Sequence, residues 1–124
     1  MILAGLAGLS LVVMVSTDTR TGFASDDHMS APEKRAVVQN YITRATECVA
    51  RKVAADARLE HLANPNDLGE LIAESVPPCV ELMRSMIERY DHYFGVGTGE
   101  AFFSGPYLDT LPAAVGKLVR EERP

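Results

Sequence analysis

Tryptophan is absent from this 124-residue chain and aromatic side chains make up only 6% of it, so no stacking platform for nucleobases or sugar rings is evident. Basic residues are outnumbered by acidic ones, 12 to 17, which leaves a net charge of −5. An acidic chain is repelled by phosphate backbones and anionic headgroups, which argues against nucleic acid and membrane surfaces as partners. Cysteine is scarce: Cys48 and Cys79 are the only two. They form no C-x-x-C, no haem-attachment C-x-x-C-H, and there is no second pair from which to build a zinc site. Strand-like alternation of useful length and internal repeats are also missing.

Uncharged sequence is concentrated at one end. Ile2 to Val15 carries no charge and is broken only by Gly5, Gly8 and Ser10. That run suits the apolar region of a signal peptide and is shorter than the ~20 residues of a membrane-spanning helix. Gly22 and Ala24 put small side chains at the −3 and −1 positions, which predicts cleavage after Ala24. Residues 1–24 then read as a signal peptide and 25–124 as one exported domain, periplasmic or secreted. One departure is the lack of Lys or Arg before the apolar run. No cysteine follows a small-residue box, so a lipid anchor is not expected. Cleavage would remove Asp18 and Arg20 together and leave the charge at −5.

In an oxidising compartment an even pair of cysteines in a small domain reads as a disulfide. Closing the loop between Cys48 and Cys79 would stabilise the fold by roughly 3.5–4 kcal/mol in the chain-entropy picture.

The fold class expected is all-α: a compact bundle of about four helices with an ordered Gly/aromatic loop, stapled by one disulfide. Ser30-Ala31-Pro32-Glu33 is a capping box that starts a helix. Val38, Tyr41, Ala45, Cys48, Lys52, Ala55, Leu59 and Leu62 follow at steps of three and four, predicting one continuous seam to about Ala63. Asn64-Pro65-Asn66-Asp67 restarts a helix that runs to about Ser75. Pro77-Pro78 opens a third, with Cys79, Val80, Met83, Met86, Ile87, Tyr90 and Phe94 on one stripe and Gly95 as its stop. Gly95 to Thr110 is expected to be the ordered loop, with a short helical turn around Glu100 to Phe103. Thr110 then caps a last helix to about Glu122. Helical rise carries the chain about 22 Å up from Cys48 and about 15 Å back, which brings Cys79 near Cys48.

Few side chains suggest chemistry. Gly95-x-Gly97-x-Gly99 resembles a phosphate-binding loop only in spacing. It follows a helix, not a strand, and no Lys or Ser/Thr sits at the required distance, so a turn is expected. Glu88, Asp91 and His92 gather at a helix end, where the dipole alone explains the imidazole. An acid/base pair of Asp91 and His92 is the enzyme reading, and it lacks a recognisable nucleophile. Lys52 interrupts the first seam. Asp56 lies four residues on; the expected reading is a Lys52 stem that snorkels its ammonium to the edge, and the sharper alternative is a polar core pair of Lys52 with Asp56. Phe102, Phe103 and Tyr107 form a candidate partner-binding surface, although large rings more often bury themselves.

The expected function is a small non-catalytic exported interaction protein, binding an unknown protein or small ligand. The alternative is a stress or acid-protective chaperone, by analogy with small disulfide-stapled helical proteins of that kind. No cofactor, metal, nucleic acid or membrane partner is expected.

Overall fold

The computed structural model describes residues 28–122. The expected leader and the cleavage point after Ala24 lie outside them. Every regular element among the described residues is helical: α1 (Ala31–Ala55), α2 (Pro65–Ser75), α3 (Val80–Phe94), α4 (Thr98–Phe102) and α5 (Leu108–Glu122). Short 3-10 turns occupy Ala57–His61 and Pro77–Cys79, and a π-helical turn occupies Phe103–Tyr107.

Local chemistry sets the helix starts. The Ser30 hydroxyl accepts the Glu33 N–H at 3.3 Å, with Pro32 in the first turn of α1. The Asp67 carboxylate accepts the N–H groups of Ala63 and Asn64 at 3.1 and 3.0 Å, which satisfies donors left open at the start of α2.

The end of α1 differs from expectation. It stops at Ala55, because Asp56 turns extended and caps the following 3-10 turn through the Arg58 N–H at 2.9 Å. An aspartate can satisfy neighbouring backbone groups better outside a helix than within one. Leu59 therefore leaves the helix and packs half-buried against the core from the 3-10 turn, with half-buried Leu62 just beyond it.

α1 is the central element and packs against both α3 and α5, with α2 also against it. Its buried face consists of Val38, Ala45, Thr46, Val49, Ala50 and Val53. The core is completed by Leu71 and Ile72 from α2, Cys79, Met83 and Met86, and Tyr107, Leu111, Val115 and Val119. Cys48 and Cys79 are bonded, with Cα atoms 6.0 Å apart, and join α1 to the turn preceding α3. On α3 the expected stripe holds at Met83 and Met86, whereas Val80 at its start and Phe94 at its end are exposed.

In the Gly/aromatic segment the expected short helical turn is present as α4, but residues 95–97 are the only turn there and the remainder is helical as well, not loop. Gly95 and Gly97 adopt φ of 113° and 89°, conformations that suit glycine, and the chain is helical again from Thr98. From Thr98 to Glu122 it continues through the π-turn into α5, so Thr110 sits within helix and does not cap one. Pro106 lies in that π-turn. Its ring would collide with the carbonyl four residues back in a regular α-helix, and the wider turn accommodates it.

Candidate functional site

The last turn of α3, the glycine turn and the start of the following helix form an aromatic corner. The Tyr90 ring stacks on Phe102, with centroids 4.7 Å apart and planes 9° from parallel. Phe94 tilts against Tyr90 at 4.9 Å. Phe102 and Phe103 both contact the Tyr107 ring, at 6.0 and 5.7 Å. Tyr90, Phe94, Thr98, Ala101, Phe102 and Pro106 line an open, mainly apolar cleft of about 390 Å³. In the turn between Phe94 and Thr98 of this lining, Val96, held between the two positive-φ glycines, is 98% exposed, and Phe94 is 37% exposed. The Thr98 hydroxyl is spent on the Gly95 carbonyl. This lining suits the uptake of an apolar group by ring contact and dispersion.

Of the three rings expected to face a partner, Phe102 lines the cleft. Phe103 is half-buried against the core, and Tyr107 is buried. The Tyr107 hydroxyl lies 3.2 Å from that of Thr46, whose own proton goes to the Ile42 carbonyl at 2.7 Å. Tyr107 is therefore the donor to Thr46. Burial pushes the phenol above its ordinary pKa.

Lys52 and Asp56 do not form a polar core pair. Lys52 is exposed, and the Asp56 carboxylate is taken by the Arg58 guanidinium, which also reaches Glu74 on α2. The buried row passes through Val49 and Val53, one residue along from Lys52. Burying Val53 adds apolar area, whereas burying an ammonium costs several kcal/mol. Hydrogen bonding to Arg58 holds the Asp56 carboxyl below its usual range. Bonds to Asp56 and then Glu74 hold Arg58 above its own.

Asp91 and His92 are likewise separated in role. The Asp91 carboxylate accepts the Gly99 N–H at 2.7 Å, so it closes the glycine turn. His92 meets Tyr93 edge-on at 5.1 Å. Among the described residues no group of three or more His, Cys, Asp and Glu side chains is placed to hold a metal ion. In the glycine run Gly99 is pressed against the Ile87 carbonyl of α3, while Gly95 and Gly97 form the turn.

One cluster was not anticipated. Arg89 lies over the rings of Tyr41 and Tyr93, on the side of α3 that meets α1. The four-residue spacing of Arg89 and Tyr93 is legible in the sequence. The contact with Tyr41 crosses between helices and carries no local signal.

Comparison with family models, curated proteins and solved structures returns no match. The functional reading therefore rests on the residues themselves.

Proposed function

We propose that this chain is a non-catalytic periplasmic interaction module that takes an apolar side chain of a partner protein in the aromatic corner. The observation that carries this reading is the exposure of Val96 and Phe94 beside a ring-lined cleft. Leaving a large apolar side chain in water forgoes about 1.5–3 kcal/mol relative to burying it. A partner covering both would recover part of that. The Cys48–Cys79 disulfide supports the compartment, since cytosolic thiol buffers work against such bonds.

The chaperone alternative has less behind it. Among the described residues the buried polar side chains are Thr46 and Ser75, and both are hydrogen-bonded. Neither is an acid whose protonation would loosen the core. The enzyme reading fares no better, because Asp91 already serves as a backbone acceptor.

The reading is tested by presenting periplasmic extract to three immobilised proteins: the wild type, Phe94→Ser/Val96→Ser, and Lys52→Ser as a remote surface control. A species held by the wild type and the control but lost on the double variant is the expected result. Retention of the same species by all three, or of none by the wild type, would overturn it.

A further inference from the structure

The α1-facing flank of α3 holds charges that the aromatic corner does not use. The Arg89 guanidinium carbon lies 5.2 Å from the centroid of the Tyr41 ring and 5.9 Å from that of Tyr93. Tyr41, Ser85, Glu88, Arg89 and His92 line a predominantly polar cleft of about 330 Å³. Arg89 is half-buried, yet among the described residues its cation is not ion-paired: the pairs formed are those of Arg58 with Asp56 and Glu74, and of Arg84 with Glu81. Glu88, its chain neighbour, is also unpaired among them.

The Tyr41 and Tyr93 side chains hydrogen-bond and stack on the guanidinium without neutralising it, and its remaining in-plane N–H groups can take acceptors. A fork of this kind matches the two oxygens of a carboxylate. A simple anion would meet the Glu88 carboxylate in the same cleft and be repelled. A ligand carrying both charges would not.

We propose that this cleft binds a small zwitterion of the amino-acid type, its carboxylate on Arg89 and its ammonium toward Glu88. The Ser85 hydroxyl adds a further polar contact, and the Tyr41 ring forms a wall. This site is independent of the partner proposed for the aromatic corner.

The test follows the Arg89 side-chain N–H by nuclear magnetic resonance in the folded, oxidised protein. Glycine, acetate and sodium chloride are added at matched ionic strength. Glycine should displace the signal saturably, acetate only at about tenfold higher concentration, and chloride by no more than a linear drift. Glu88→Gln, an exposed substitution that leaves the core untouched, should abolish the advantage of glycine over acetate, read on the same signal. Arg89→Lys, followed through the Ser85 amide, should weaken both by keeping the charge and losing the fork. A non-saturating response to glycine, or a glycine advantage unchanged in Glu88→Gln, would show that Arg89 only braces α1 against α3 and would overturn the proposal.

Discussion

The backbone N–H of Gly99 donates to the Asp91 carboxylate across 2.7 Å and ties the first turn of α4 to the last turn of α3. Gly99 is buried there, and a Cβ at this position would run into the Ile87 carbonyl and the Asp91 side chain. Gly99→Ala should therefore destabilise the protein by about 2–3 kcal/mol in urea unfolding. Gly69→Ala is the contrasting case. It lies within α2 and faces open space, so alanine there should stabilise by about 0.5–1 kcal/mol.

Removing the acceptor tests the same contact from its other side. Asp91→Ala leaves the part-buried Gly99 N–H without its partner and should cost about 1–3 kcal/mol. Amide hydrogen exchange at Gly99 should accelerate more than exchange in the middle of α1. Equal acceleration throughout the chain would instead indicate global destabilisation.

Tyr107→Phe deletes one hydroxyl while keeping the ring that Phe102 and Phe103 pack against. The expected loss is about 1 kcal/mol, because Thr46 retains its bond to Ile42. The raised folded pKa of Tyr107 also sets an alkaline limb. Its contribution is complete below the unfolded phenol value of about 10 and is lost as pH rises through the folded value. Melting temperatures of the phenylalanine variant should fall less steeply above pH 10 than those of the wild type.

The acid limb is assigned to Asp56. Its folded pKa is depressed, first by the side-chain bond to Arg58, so its contribution is present above the unfolded value of about 3.9 and lost as pH falls through the folded one. Asp56→Asn should flatten the decline in melting temperature between about pH 5 and 2. Lys52→Met, on an exposed position, should leave that decline as it is.

Replacing both cysteines by serine should lower stability by roughly 3.5–4 kcal/mol, the value expected from loop closure. Chemical unfolding of the oxidised and double-serine proteins measures it directly. A difference near zero would show that residual structure in the unfolded chain already restrains it.

Most helix starts and stops were legible where their cause is local, the end of α1 at the Asp56 cap being the exception. Ser30 with Glu33, Asn64 with Asp67, the Pro77–Pro78 step and Gly95 act through backbone groups within one turn, and the structure places element boundaries at each. The pairing of Cys48 with Cys79 was legible for a different reason: with two cysteines, parity leaves one partner each.

Tertiary structure decided what the local pattern left degenerate. The three- and four-residue steps through Lys52 fit a helix as well as those through Val53, and the choice fell to α3 and α5 packing around Ala45, Val49 and Val53. The glycines and prolines between Gly95 and Pro112 read as a loop, because each weakens a helix taken alone. Tyr107 and Leu111, buried against α1, repay that cost, and the π-turn absorbs Pro106. The Arg89–Tyr41 contact belongs to the same class, since it joins residues far apart in sequence that only helix packing brings together. Capping energies are local and can be read along the chain. Burial energies depend on which surfaces meet, and that is determined only when the whole chain has folded.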